Sequence, residues 1–173
     1  HEDVPRQILA KYWINPVLRK IISYLFEKYE DRSSHRFSSI IAATTHIKNR
    51  FKKSNSNTTD IMNYPILGKF PDTNWERKHN EICYIGVISE IRGIRELLIS
   101  LENCNTKLNL AGYFSPESFK LELSKIPQWD KVNEFGLVNR QEVNRILIRS
   151  KIGIVTLHPL INYMDALPVK MFE

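Results

Sequence analysis

The chain has 173 residues, of which 42% are hydrophobic and 25% charged, and it carries a net charge of +6 at neutral pH. That hydrophobic share is ordinary for a globular protein, and no run approaches the roughly 20 apolar residues of a membrane span. Two isolated cysteines, Cys83 and Cys104, lack metal-ligand spacing and suit a reducing cytoplasm. The charge is uneven: residues 1–79 hold 14 Lys/Arg against 8 Asp/Glu, whereas residues 80–173 hold 11 of each. The basic half is either a solvated surface or one that meets an anionic membrane or a phosphorylated acceptor. Nucleic acid is disfavoured, since no basic motif is interleaved with aromatics.

In chain order, Ile14, Val17, Leu18, Ile21, Ile22, Leu25, Phe26 and Tyr29 recur at helical spacing. They predict an amphipathic helix from about residue 16 to 36, started by Pro16 and packing its apolar stripe against its own domain. Residues 38–43 read as a short strand, 45–53 as a short basic helix and 59–64 as a second strand, so residues 1–64 look like the closing part of an α/β domain. Residues 65–80 contain Pro65, Gly68, Pro71 and Asn74 without periodicity and read as an interdomain linker. From residue 81 strands and helices alternate: strands over 82–88, 107–112, 131–135 and 151–157, helices over 92–101, 116–125 and 141–149. A loop and a helical start at Pro168 follow. This alternation predicts a doubly wound parallel α/β sheet over residues 81–173, with a ligand outside the carboxyl ends of its strands. The chain begins at His1 without methionine and stops at Glu173 inside a helical start, so it reads as part of a longer protein.

Unusual residues gather at those strand ends. After Gly86 no second glycine follows two residues on, so the dinucleotide fingerprint is absent, as is a Walker loop. Instead Arg92 and Gly93 fall at an expected helix start, where free N–H groups and an arginine attract phosphate. Near the C-terminus, Lys170 and Glu173 share one face of the turn begun by Pro168, offering a cation and a carboxylate to a phosphate and a polyhydroxy group. His158 follows the last strand, and Asn162 and Tyr163 sit in the loop after it. No paired-aspartate metal motif occurs: Asp72, Asp130 and Asp165 are isolated. Trp13, Trp75 and Trp129 are expected to pack in the core or at its rim.

The order Tyr84-Ile-Gly86, Arg92-Gly-Ile94, Leu108-Asn-Leu-Ala-Gly112, Val132 to Val138, Gly153-Ile-Val155, His158-Pro159 and Pro168-Val-Lys-Met-Phe-Glu173 resembles the retaining glycosyltransferases of family four. Their GT-B fold pairs two Rossmann-like domains. More weakly, His1-Glu-Asp-Val-Pro-Arg-Gln7 resembles the acceptor-domain loop of bacterial surface-polysaccharide members, and Asn63-Tyr-Pro65 the start of their linker. The resemblance implies a partial acceptor-side domain over 1–64, a linker over 65–80 and a truncated donor-binding domain over 81–173. It also implies an enzyme that moves a sugar, with retention, from a nucleotide-sugar donor to a glycan or lipid-linked acceptor in cell-surface polysaccharide synthesis. It further implies that Arg92 and Lys170 bind the diphosphate, that Glu173 contacts the transferred sugar as the first of a glutamate pair, and that His1 approaches that sugar from the first domain. Gly86, Gly93, His158 and Asn162 complete the expected donor site. Family members often carry arginine where this chain has Val87, and the second glutamate would fall beyond residue 173. No cofactor and no metal are expected, because cations and a helix start stabilise the leaving diphosphate. The expected place is the cytoplasm, with contact to the inner face of an anionic membrane. The alternative is a non-catalytic or epimerase-like nucleotide-binding module, although an epimerase would carry the dinucleotide glycines and a Tyr-X-X-X-Lys pair.

Overall fold

The structure, a computed structural model, describes residues 3–11, 13–62, 64, 74–161, 163–164, 168 and 171. The chain divides into two compact units, His1–Ile66 with Pro159–Glu173, and Leu67–His158.

In the first unit, α1 (Val4–Leu9) is capped by the Asp3 side chain, and α2 (Pro16–Ser34) starts where Asn15 accepts a hydrogen bond from the Val17 amide at 2.9 Å. Two three-residue strands, β1 (Ile40–Ala42) and β2 (Thr58–Asp60), pair in parallel across α3 (Thr45–Phe51). The strand–helix–strand order expected here is present, with shorter elements. The packing of α2 departs from expectation. Its serine and acidic side turns inward: Ser23 donates to the Pro5 carbonyl at 2.8 Å, and Arg50 from α3 reaches Glu30 at 2.7 Å. Val17, Leu18, Ile21, Leu25 and Tyr29 are instead exposed among the described residues. The Arg50 ion pairs, with Glu27 and Asp31 also within 4 Å, fix the rotation of the helix and leave its apolar stripe outward.

The second unit is a four-stranded parallel sheet in the order β5–β4–β3–β6. Its strands are β3 (His79–Ile85), β4 (Lys107–Ala111), β5 (Val132–Gly136) and β6 (Ser150–Gly153). Its helices are α4 (Ile94–Ser100), α5 (Phe119–Leu123) and α6 (Arg140–Arg149), the last opened by a capping box of Asn139 and Glu142. β3 begins at His79, inside the stretch read as linker, because that stretch carries no apolar run to announce a strand start. Residues 65–73 lie outside the described residues. β6 spans four residues where seven were expected, and α5 begins at Phe119, not at Pro116.

Both sheet faces are buried, as parallel sheets require. Ile82, Tyr84, Leu108 and Leu110 meet Ile94, Leu98, Phe119 and Leu123 on the α4/α5 face, while Cys83 and Ala111 meet Ile146 of α6 on the other. At roughly 1.5–3 kcal/mol per fully buried large apolar side chain, the α4/α5 face supplies most of the hydrophobic stabilisation. Burial pushes the Cys83 thiol up from its ordinary range, in keeping with its expected role as a small buried hydrophobe. Trp129 packs with Phe114 beside this core, Trp75 lies under the Lys151 ammonium, and Trp13 is 80% exposed, contrary to expectation.

The α6 face holds a polar layer that the sequence does not announce. Glu81 is 8% exposed and receives Arg149 through two bonds, at 2.8 and 2.7 Å. Asn109, fully buried, donates to Glu81 at 2.7 Å and to Ser150 at 3.2 Å, and accepts from Asn133 at 3.0 Å. Burial pushes the Glu81 carboxyl up, but the Arg149 and Asn109 hydrogen bonds and the nearby His79 outweigh it and hold the group below its ordinary value.

Candidate functional site

The strand order reverses direction at β3. From β3 the chain steps outward to β4 and β5, then α6 carries it back to β6 on the opposite side of β3. The carboxyl ends of β3 and β6 therefore flank the topological switch point, where open α/β sheets take their ligands.

Three glycines form the rim of this end. Gly86, Gly112 and Gly136 follow or close β3, β4 and β5, each with positive φ. The Gly86 amide donates to the Ala111 carbonyl at 2.8 Å, and the Gly112 amide to the Gly136 carbonyl at 2.7 Å. These turns bring backbone, free of side chains, to the place a ligand would approach.

Beyond Gly86 the chain makes a 3-10 turn, Glu90–Arg92, and swings into α4 through Gly93 at φ +66°. Arg92 thus sits in the turn before the helix, and α4 itself has seven residues. From the other side, the segment after β6 is stapled onto that turn. Ile154 makes the last ladder bond to Cys83, after which Thr156 Oγ1 donates to the Arg92 carbonyl at 2.5 Å and the His158 amide to the Ile91 carbonyl at 3.0 Å. These bonds shorten β6: its final residues pair with the turn and not with β3. Gly93 is required by its left-handed backbone and not by crowding: a Cβ there would stand in ordinary contact, 3.4 Å from Thr156 Cβ and 3.7 Å from His158 Cδ2. His158 Nε2 lies 3.3 Å from the Glu96 carboxylate. The Glu96 carboxyl is held below its ordinary value, by its own backbone amide first and then, against burial, by His158.

Gly86, Arg92, Gly93 and His158 are thereby gathered at one sheet end. His1, Asn162, Lys170 and Glu173, the other expected site residues, lie outside the described residues. Thr156 and Glu96 escaped the sequence reading. Their only sequence signal is spacing, one two residues before His158 and the other three after Gly93. Among the described residues no group of three or more His, Cys, Asp and Glu is placed to hold a metal ion. An open cavity of about 790 Å³ lies at the opposite, amino-terminal ends of β3 and β4, lined by Glu102, Asn105, Asp130 and Lys131. There the Lys131 ammonium donates to the Leu101, Glu102 and Cys104 carbonyls, so that end serves to cap the turn after α4 and lies away from the strand carboxyl ends.

No protein-family model and no curated protein matches the chain. Among solved structures it is similar to HepE of Anabaena, crystallised in complex with UDP and glucose, at 14% identity and a TM-score of 0.59 over 76% of this chain. The fold is of the GT-B type. The chain spans 41% of the HepE chain. Weaker likenesses are to WaaG, a glycosyltransferase involved in lipopolysaccharide biosynthesis, at 18% identity, 69% and 38% coverage of the two chains and a TM-score of 0.46. A further one is to AviGT4, a glycosyltransferase involved in avilamycin A biosynthesis, at 21% identity, 45% and 23% coverage and a TM-score of 0.39.

Proposed function

We propose that the chain is the donor-binding part, with some of the acceptor side, of a glycosyltransferase acting on a nucleotide-sugar donor. The observation that carries this reading is the meeting of Gly86, Arg92, Gly93 and His158 at the switch point of a parallel sheet whose fold is shared with HepE, a protein crystallised with UDP and glucose. The finer reading keeps the domain limits drawn from the sequence, retention at the anomeric carbon, a glycan or lipid-linked acceptor and a role in surface polysaccharide synthesis.

In this reading the leaving group is a nucleoside diphosphate, and transfer needs its negative charge stabilised as the bond to the sugar breaks. Arg92, held at the crevice by the turn that Thr156 and His158 staple, supplies a bidentate cation. Lys170 adds a second cation, Glu173 faces the positive charge developing on the sugar, and His1 orients a sugar hydroxyl from the acceptor side. These cations suffice without a divalent metal, so transfer should survive a chelator. The acceptor side would approach anionic lipid through Lys20, Lys52 and Lys53, which are exposed. Lys48 and Arg50 serve elsewhere, paired with Asp60 and with the acidic side of α2.

The test is binding and transfer by the intact protein. Titration with UDP, GDP, CDP and ADP should reveal one preferred diphosphate, and the matching nucleotide sugar should be hydrolysed or transferred with the chelator present. Failure to bind any of the four overturns the reading. Complete loss of transfer on chelation, restored by manganese or magnesium, overturns its metal-independent part.

A further inference from the structure

We propose that Glu96 is a positioning residue for the donor site, acting through His158 so that His158 Nδ1 accepts a hydrogen bond from a hydroxyl of the donor's sugar. The inference rests on the proposed nucleotide-sugar function.

Four observations converge on it. The His158 main chain is anchored to the Ile91 carbonyl at 3.0 Å, and its neighbour Thr156 to the Arg92 carbonyl at 2.5 Å, so the ring stands beside the same turn that carries Arg92. The ring lies against the start of α4, with Cδ2 3.7 Å from where a Cβ on Gly93 would be, an ordinary contact distance. Nε2 lies 3.3 Å from Glu96 Oε2, and no other partner of the ring occurs among the described residues. Glu96 and His158 side chains are 58% and 36% exposed, so the pair adds little to stability and its consequence is orientation.

The chemistry follows from the tautomer. A carboxylate accepts and does not donate, so Glu96 selects the imidazole that carries its proton on Nε2. In that neutral form Nδ1 is a bare acceptor. Phosphate oxygens are acceptors too, so Nδ1 does not suit the diphosphate that Arg92 attracts. A hydroxyl suits it, and the donor carries hydroxyls on its ribose and on its sugar. The two sources are separable, because a nucleoside diphosphate has only the first.

The test uses the intact protein at about pH 8. Binding of UDP and of UDP-glucose is measured by calorimetry for wild type, Glu96→Ala, Glu96→Gln, His158→Ala and Glu96→Ala/His158→Ala. Loss of one hydrogen bond should weaken UDP-glucose binding about five-fold in Glu96→Ala and in His158→Ala, with UDP affinity and melting temperature unchanged. Glu96→Gln, whose amide oxygen still accepts from Nε2, should restore most of the affinity. The double variant should be no worse than His158→Ala, since Glu96 acts only through that ring. Wild-type binding in Glu96→Ala, additive losses in the double variant, or equal losses for UDP and UDP-glucose each overturn the inference while the proposed function stands. Should wild type bind neither probe nor any other nucleotide sugar, the function falls and the inference with it.

Discussion

Gly112 comes so close to Gly86 that a Cβ on Gly112 would stand 1.8 Å from the Gly86 carbonyl oxygen. Backbone is the obstacle there, so no side-chain movement relieves it. Gly112 also holds φ at +141°, which L side chains rarely adopt. Gly112→Ala should therefore destabilise the second unit by about 3 kcal/mol or more, combining backbone strain with overpacking. Gly136, at φ +64° with nothing within 4 Å of its would-be Cβ, is the control. Gly136→Ala carries only the left-handed cost of about 1–2 kcal/mol. Urea unfolding of the two variants reads the contrast, and equal losses would remove the close approach as its cause.

Glu81 makes stability depend on acid. Its carboxyl is held below the ordinary value in the folded state, so the stability it contributes is present above the unfolded value of about 4.3 and is lost as pH falls through the lower folded value. Wild type should exceed Glu81→Gln in stability near neutrality, with the gap closing below about pH 4. Arg149→Leu leaves the carboxylate buried without its cation and should cost about 2 kcal/mol or more at neutral pH, less than a fully buried pair because Arg149 is 39% exposed. Melting curves across pH check both. A gap that persists unchanged into acid would place the role of Glu81 in packing and not in charge.

Arg92 and Glu173 should separate on the donor. In the intact protein Arg92→Ala should weaken nucleoside diphosphate binding by one to two decades, the equivalent of a charged hydrogen bond of roughly 1.5–3 kcal/mol. Glu173→Ala should lower transfer by a similar factor and leave diphosphate affinity nearly unchanged. Equal diphosphate losses in both would show that the two residues do not divide the donor between them.

On vesicles rich in anionic lipid, the intact protein should co-sediment at low salt and be released at high salt, since each basic residue near such a surface contributes about 1 kcal/mol within a Debye length of roughly 8 Å. Lys20→Glu and Lys52→Glu/Lys53→Glu should weaken this, whereas Lys48→Glu should act mainly on folding, because Lys48 Nζ bonds Asp60 at 2.9 Å. Indifference to salt would refer binding to the outward apolar stripe of α2, with Val17, Ile21 and Leu25 its exposed members.

The parallel α/β order, the strand-end glycines and the burial of Cys83 were legible from spacing alone, because strand and helix periods are local properties of the chain. That Gly86, Arg92, Gly93 and His158 gather at one sheet end was legible for the same reason: in such a sheet, the residues after a strand are the ones at the crevice. Strand limits were less legible. β3 starts at His79 because its first residues pair with β4 and β6, and β6 ends early because Thr156 and His158 bond a turn more than 60 residues away in sequence. The rotation of α2 was misread because its apolar period says which residues share a face but not which face turns inward. Arg50 decided that, from another helix, through carboxylates on the polar side of α2. The layer of Glu81, Asn109, Asn133, Ser150 and Arg149 was likewise invisible, since its members come from four strands and a helix and become partners only when the sheet forms. The chain's own periodicity determined the kind of fold and which residues stand at the carboxyl ends of its strands. Tertiary structure alone decided which polar groups meet, because hydrogen bonds and ion pairs depend on ångström distances between residues that sequence spacing does not relate.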